Sequence, residues 1–137
     1  MHKYTYFLRT IPEIERYLKP LDDLITQSFL PTLLDAIVSD LDRNLYSLPT
    51  RKGGLGIPIL REIANQHFES SLTITSPLVA IMITQGETIP PTETVNKITS
   101  DVKKRNEQRI DKNASQIESQ LPPKMCRAIT EGKQKGA

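Results

Sequence analysis

Residues 48–57 read LPTRKGGLGI, and this stretch divides the chain into one helical region before it and another after it. Pro49 ends the preceding helix, because the residue before a proline disfavours the α conformation. The glycines favour a tight turn, since glycine readily adopts a positive φ and allows close backbone approach. Pro58 follows directly and opens the next helix, where its missing N–H is not needed. The stretch therefore predicts a turn between two helices.

The region before the turn shows apolar residues at helical spacing, interrupted by prolines. Tyr4, Phe7 and Leu8 share one face of a helix over residues 3–9. Ser39 is suited to cap the last helix of this region, since a serine hydroxyl accepts a bond from a free helical N–H. We expect further helices, each begun by a proline or a polar residue, over residues 12–18, 19–30, 31–38 and 40–48.

The region after the turn begins with a helix that follows Pro58. Thr75 or Ser76 is expected to cap another helix, with Pro77 in its first turn. The apolar run over residues 78–83 fits a helix or a buried strand, and periodicity does not separate the two. Because no similar apolar run could pair with it, the helix is favoured.

The last third of the chain is polar and predicts one long helix over residues 92–120. Such a helix measures about 42 Å at 1.5 Å per residue, so we expect it to project. The whole pattern predicts an all-α protein with a helical bundle over residues 1–86, a proline-rich linker over 87–92 and a basic helical arm over 93–137.

Charge is distributed unevenly along the chain, whose formal net charge is +2. Residues 97–137 contain ten Lys or Arg against five Asp or Glu, a balance of +5, which leaves −3 for residues 1–96. An acidic bundle with a basic arm is typical of proteins that contact a polyanion.

Several function classes find no support in the composition. The single cysteine, Cys126, cannot form an internal disulfide and lacks zinc-ligand spacing. No apolar stretch approaches the ~20 residues of a membrane span, so we expect no membrane partner and an intracellular location, cytoplasmic or nuclear. The adjacent acids Asp22 and Asp23 are interpreted as the negative first turn of a helix behind Pro20, not as metal ligands. No metal or other cofactor is predicted.

The strongest candidates for a binding role are cations in the basic arm: Lys103, Lys104, Arg105 and Arg109. On a helix they form a surface that could meet phosphates, each contact adding salt-dependent affinity. The alternative is a solvated helix face, with Asp101 pairing to Arg105 one turn away.

Arg51 and Lys52 form a second candidate, because they stand beside the glycines of the turn. A backbone concavity with two cations could bind a nucleic-acid phosphate. The alternative is that the glycines only make the turn and the cations are exposed by default.

Four short motifs occur in order along the chain: HKYTYFLRTIP at 2–12, LPTRKGGLGI at 48–57, ITSPLV at 74–79 and LPP at 121–123. Together they resemble the region downstream of the reverse transcriptase palm in retrotransposon-derived proteins of invertebrate genomes. The resemblance implies a thumb-like or connecting helical region that helps to hold a template–primer duplex. Since it begins at residue 2, we expect the natural protein to extend further towards its amino terminus.

In the proteins that the chain resembles, polymerase chemistry needs the metal-binding aspartates of the palm, and these are not found in this chain. We therefore expect a non-catalytic fragment that contacts RNA or DNA. One alternative is a protein-interaction module, with Val95, Ile98 and Val102 meeting a partner helix or with the missing palm as partner. Another is a decayed transposable-element product without function.

Overall fold

The structure is a computed structural model of the protein and describes residues 3–135, with side chains over 4–134. Within this range the chain is helical and has no strand, so the predicted all-α class is confirmed. Its α-helices are α1 (Lys3–Thr10), α2 (Glu15–Leu24), α3 (Leu30–Leu34), α4 (Asp40–Ser47), α5 (Leu60–Thr84), α6 (Thr92–Gln120) and α7 (Pro123–Lys135). A π-helical turn over Ile25–Phe29 joins α2 to α3, and a 3₁₀ turn over Thr50–Lys52 lies in the glycine stretch.

The helices α2 and α3 form one continuous helical run with the π-helical turn, and the predicted breaks near residues 19 and 31 are wrong. Pro20 lies inside α2. Before Pro31, the N–H of Leu30 donates to the carbonyl of Ile25, five residues back, and this wider turn accommodates the second proline. The run ends at Asp35, whose φ is +51°.

The start of α4 confirms the predicted cap. The Ser39 hydroxyl accepts a bond from the N–H of Asp42 at 3.2 Å, and the Asp42 carboxylate accepts one from the N–H of Ser39 at 3.1 Å. This reciprocal arrangement satisfies two backbone donors that a helix start leaves unpaired. At the other end, Leu48 adopts an extended conformation before Pro49, as predicted.

The helix α5 runs unbroken through Pro77, so the predicted cap at Thr75 or Ser76 is wrong and so is the strand alternative. Pro77 has no N–H to donate to the carbonyl of Thr73, four residues back. The hydroxyl of Ser76 donates to that carbonyl instead, at 2.9 Å. A serine beside the proline thus replaces the missing bond and keeps the helix continuous.

The long helix α6 has the predicted bounds, and one of its sides packs on α4 and α5. Val102, Ala114 and Ile117 are buried along this side, whereas its other side is exposed. Val95 and Ile98 are half-buried, so the stripe expected to meet a partner helix lies largely within the chain itself.

Two small apolar clusters hold the helices together. One joins α4 to the carboxyl-terminal part of α6 through Leu45, Leu48, Ala114, Ile117 and Leu121. The other joins α1 to the start of α5 through Leu8, Leu60 and Ala64. The helix α7, which lies within the predicted basic helical arm but whose bounds we did not predict, adds Cys126 and Ile129 to the first cluster. None of the helices in residues 3–135 is long and apolar enough to cross a bilayer.

Candidate nucleic-acid interface

The carboxylate of Asp22 is buried and caps the start of α5 from a distant part of the chain. It accepts bonds from the N–H groups of Leu60 and Arg61, both at 2.9 Å. A negative charge at this helix end also interacts favourably with the helix dipole. The expectation that Asp22 belongs to the first turn of a helix behind Pro20 is therefore wrong, because α2 begins at Glu15. Its role is nevertheless structural.

The guanidinium of Arg43 is linked to Asp22 through the hydroxyl of Thr26, which donates to the carbonyl of Asp22, and it fixes the segment that follows the glycines. It donates to the carbonyls of Ile57 at 2.7 Å and Pro58 at 3.0 Å, and to the hydroxyl of Thr26 at 3.1 Å. Burial lowers the pKa of Arg43, and the nearby carboxylates of Asp22 and Glu62 oppose that shift. Arginine has so high a pKa that the group stays charged. Arg43 thus binds the chain's own backbone.

The glycine turn uses its backbone N–H groups within the chain. Gly54 donates to the carbonyl of Pro49 at 3.2 Å, and Gly56 donates to that of Leu48 at 2.9 Å. Leu55 and Ile57 both donate to the carbonyl of Tyr46, at 3.2 and 3.1 Å. These bonds satisfy carbonyls at the end of α4, which a helix leaves unpaired. The same N–H groups are therefore not available as a phosphate-binding concavity.

The absence of a side chain at Gly54 is required for this arrangement. A Cβ at that position would lie 2.0 Å from the carbonyl oxygen of Leu48. Close backbone packing, and not ligand approach, accounts for this glycine.

The two cations of the turn both face carboxylates of α6. Arg51 lies 2.9 Å from Glu107, and Lys52 lies 2.7 Å from Asp111. The two acids are four residues apart and therefore occupy neighbouring turns on one side of α6. A hydrogen bond from Lys52 lowers the pKa of Asp111, so the carboxylate keeps its charge in more acidic solution. We call these two ion pairs the turn clamp.

Arg109 lies on the opposite flank of α6, where it faces α5. Its guanidinium is 3.9 Å from the carboxylate of Glu69. Together with Arg105 it borders a small cleft of about 60 Å³ next to Ser70 and Thr73. The ion pair is exposed and long, so its contribution to stability is small.

Lys103, Lys104 and Arg105 are exposed, and none of them makes a salt bridge in the described part of the chain. The salt bridge expected between Asp101 and Arg105 is not formed, and the structure describes both side chains. Lys103 lies one turn from Glu107, near the turn clamp, and shares a shallow groove with Lys104. The three cations thus remain candidates for contact with an external anion.

Sequence reasoning missed two cations on the solvent-exposed side of α6, Lys97 and Lys112. Lys97 precedes Lys104 by seven residues, a spacing that returns to nearly the same side of a helix, and Lys112 follows it by eight, which places it about 80° further round. The signal was therefore present in the sequence, but the adjacent run at 103–105 obscured it. We define the outward ridge of α6 as Lys97, Lys104, Arg105 and Lys112, all exposed and without a salt bridge to any described residue.

The charges of α6 thus differ in whether they are paired within the chain. The carboxylates of Glu107 and Asp111 are engaged by the turn clamp, whereas the ridge cations face solvent. Because the clamp engages these two acids, the exposed side of α6 keeps a net positive charge, with four ridge cations around the exposed carboxylate of Asp101. Such a surface attracts polyanions.

Other chemistry-bearing residues do not converge on a site. Residues 3–135 contain no group of three or more His, Cys, Asp or Glu side chains that could hold a metal ion. Burial lowers the pKa of His67, and the charge of Arg9 lowers it further. The thiol of Cys126 is half-buried and donates to the carbonyl of Glu118 at 3.4 Å. His2 lies outside the described residues.

No protein-family model matches this chain, and no curated protein or solved structure is significantly similar to it. The resemblance to the region downstream of a reverse transcriptase palm therefore stays a prediction.

Proposed function

We propose that this chain is a non-catalytic helical module that contacts nucleic acid through the outward ridge of α6. The observation that carries the proposal is the excess of unpaired cations on the exposed side of α6, where the ridge offers four bases while Glu107 and Asp111 are held by the turn clamp. Charge-assisted contacts from lysine and arginine to phosphates supply most non-specific affinity for nucleic acid. The ridge contains no aromatic residue, so base stacking does not contribute.

An RNA–DNA hybrid is the nucleic acid that we propose as ligand. The resemblance to a post-palm region implies a thumb-like or connecting element that holds a template–primer duplex without making bonds. A helix that offers cations along one side suits the regular phosphates of a duplex. We accordingly place its action inside the cell, in the cytoplasm or nucleus.

The proposal is tested by titrating the chain with a fluorescent RNA–DNA hybrid at several salt concentrations. Four phosphate contacts predict a slope of about −3.6 in log affinity against log salt, which is roughly a 150-fold loss between 50 and 200 mM. The variant Lys97→Gln, Lys104→Gln, Arg105→Gln, Lys112→Gln should bind weakly and with a slope near zero.

A charge-matched control places the same four changes on other elements, at Arg16, Lys19, Arg61 and Lys124. This control should retain most of the affinity and slope. Equal losses in the two variants would show that only net charge matters and would overturn the ridge proposal. A folded chain that fails to bind at low salt would do the same, and a chain that does not fold would support the decayed-product alternative.

A second candidate function is favoured by an apolar groove on the surface of α2 and α3. Leu24, Phe29 and Leu33 line it together with two hydroxyl side chains, in a volume of about 590 Å³. The chain also exposes 10115 Å² of surface, against about 7,200 Å² for a compact monomer of its mass of 15.5 kDa. Surplus surface with apolar patches is typical of a module that packs on another protein.

For this second function we propose the catalytic palm implied by the resemblance as the partner. Co-expression of the chain with a retrotransposon palm should give a complex that Phe29→Glu with Leu33→Glu abolishes. Ile37→Glu is the matched control, because Ile37 is 97% exposed and lies outside the groove. A complex that survives the groove variant would contradict this candidate.

A further inference from the structure

We infer that the carboxyl-terminal half of α5 pairs with the same segment of a second copy of this chain, in an antiparallel two-fold contact. The surface concerned, which we call the α5 apolar face, consists of Leu72, Leu78, Val79, Met82 and Ile83. It is separate from the outward ridge and from the groove on α2 and α3, and it does not depend on the proposed function.

The α5 apolar face is continuous on one side of the helix. Leu72, Val79 and Ile83 follow at intervals of seven and four residues and so lie on one line, with Met82 on its flank and Leu78 at the edge of the face, about 120° round the helix from Leu72. All five are exposed, from 42% for Leu78 to 76% for Ile83. The other side of the same helix is different, since Ile74, Pro77 and Ile81 are half-buried within the chain. This helix therefore has an apolar side that the chain itself does not cover.

The polar groups within the face already have partners. The hydroxyl of Thr75 donates to the carbonyl of Ser71 at 2.9 Å, and that of Ser76 donates to the carbonyl of Thr73 at 2.9 Å. A hydroxyl that already donates to a carbonyl of its own helix can be covered by an apolar surface, because no donor is left without an acceptor. The face thus tolerates burial over its whole length.

Charge favours a second copy as the occupant. Residues 70–86 contain no Asp, Glu, Lys or Arg, a run of 17 positions in a chain that is 25% charged. In a two-fold contact a surface meets itself, so any charge near the axis would meet its own copy. An uninterrupted neutral face removes this repulsion. A surface evolved to bind a foreign partner has no such constraint, because opposite charges on the partner can match its own.

The geometry of the face also fits an antiparallel pair. With the axis between residues 77 and 78, Leu72 lies opposite the partner's Ile83, and Ser76 lies opposite the partner's Val79. Large apolar side chains then face each other at both ends of the contact, and a small side chain faces a β-branched one near the axis. This alternation of large and small residues is the pattern that close helix packing requires.

The area is sufficient for a weak, specific dimer. The exposed fractions of the five side chains equal about three fully exposed aliphatic side chains, or about 350 Å² per copy. Two copies would bury about 700 Å² of apolar surface, which corresponds to about 1,100 Å² in total at the apolar share of homodimer interfaces. This value is an upper bound, because Leu78 lies at the edge of the face, and it falls below the range of about 1,200–2,000 Å² for stable specific interfaces, so we expect a weak, reversible dimer.

The experiment is sedimentation equilibrium of the whole chain, from low micromolar to millimolar concentration. We expect a monomer–dimer equilibrium that added salt does not weaken, since the nearest charges along the sequence are Glu69 and Glu87, at the two ends of the face. Ile83→Glu should raise the dimer dissociation constant at least tenfold. Ile37→Glu, the same change at an exposed isoleucine elsewhere, should leave it unchanged.

A charge exchange tests the antiparallel arrangement. Leu72→Lys alone should weaken the dimer, whereas Leu72→Lys combined with Ile83→Glu should restore it, because each new lysine meets the partner's Glu. Within one chain the two positions are eleven residues apart, about 16 Å, and cannot pair with each other. A folded chain that stays monomeric overturns the inference, and so does a dimer that survives Ile83→Glu or is not restored by the exchange. A monomer that binds neutral phosphatidylcholine vesicles would overturn it in favour of a lipid surface.

Discussion

Two basic pairs, Arg51–Lys52 in the glycine turn and Lys104–Arg105 on α6, look alike in sequence but have opposite surroundings. The first pair meets two carboxylates of α6 at 2.9 and 2.7 Å. The second pair is exposed and makes no salt bridge to any residue in 3–135. The role of a basic run in this chain thus depends on the acids that folding brings to it. The turn cations connect elements of the chain, and the helix cations stay available to a partner.

The largest effect is expected from removing the buried charge that holds the turn in place. Asp22→Ala deletes two bonds to the start of α5 and leaves Arg43 without its buried carboxylate neighbour. We expect a loss of about 2–4 kcal/mol in the free energy of unfolding, measured by urea denaturation, because two N–H donors at the start of α5 lose their acceptor. Asp23→Ala is the control, since Asp23 makes an exposed pair with Lys19 and should cost less than about 1 kcal/mol. Similar losses for both variants would contradict the structural role of Asp22.

The next effect is expected from a side chain placed in the turn. Gly54→Ala puts a Cβ 2.0 Å from the carbonyl oxygen of Leu48, so the backbone must move. We expect a loss of about 1–3 kcal/mol in the free energy of unfolding. Gly132→Ala is the matched control, because a Cβ there has no neighbour within 4 Å and alanine favours the helix α7. A Gly54→Ala chain as stable as the control would mean that the glycine is not needed for packing.

A smaller effect is expected from removing the acids of the turn clamp. Glu107→Gln with Asp111→Asn leaves Arg51 and Lys52 unpaired, and exposed ion pairs contribute at most about 1 kcal/mol. The unfolding free energy should therefore fall only slightly. Affinity for the RNA–DNA hybrid should rise, since two negative charges leave α6. Unchanged or weaker binding would show that the clamp does not control the charge of this helix.

The smallest effect on stability is expected from protonation of His67, whose pKa is lowered in the folded chain. Burial and Arg9 lower the pKa of His67, so the unfolded chain takes up a proton more readily than the folded chain. Stability is then complete above the ordinary histidine value of about 6.5 and is lost as pH falls from there towards the lowered pKa. The ring is only half-buried, so we expect a change of a fraction of a kcal/mol.

Urea denaturation at about pH 7.5 and about pH 5.5 measures this change, with His67→Gln as the reference that lacks it. A decline of the same size in the variant would assign the pH dependence to other groups.

Local rules predicted the features that depend on near neighbours in sequence. The cap at Ser39 and the bounds of α6 follow from capping, proline and spacing rules, and the structure confirms them. The same rules failed where a compensating contact was needed, as at Pro77, whose missing bond the Ser76 hydroxyl replaces. They also failed at Asp22, because its bonding partners are 38 and 39 residues away.

The candidate site shows the same limit. The basic run of α6 was visible in the sequence, but the sequence did not indicate which of its cations form salt bridges. Arg51 and its partner Glu107 are 56 residues apart, so no local pattern indicates that they meet. Which cations are paired depends on how α6 packs against the turn, and this follows from the buried positions Leu48, Ala114 and Ile117.

Whether pairing within the chain decides which cations bind nucleic acid is tested by comparing the two basic pairs in one experiment. The double variants Arg51→Gln with Lys52→Gln, and Lys104→Gln with Arg105→Gln, carry the same change in net charge. Binding of each to an RNA–DNA hybrid is measured from low to physiological salt. We expect the α6 variant to lower the magnitude of the salt slope by about 1.8 and the turn variant to leave the slope unchanged. Equal changes in slope, or a larger change for the turn variant, would contradict this expectation.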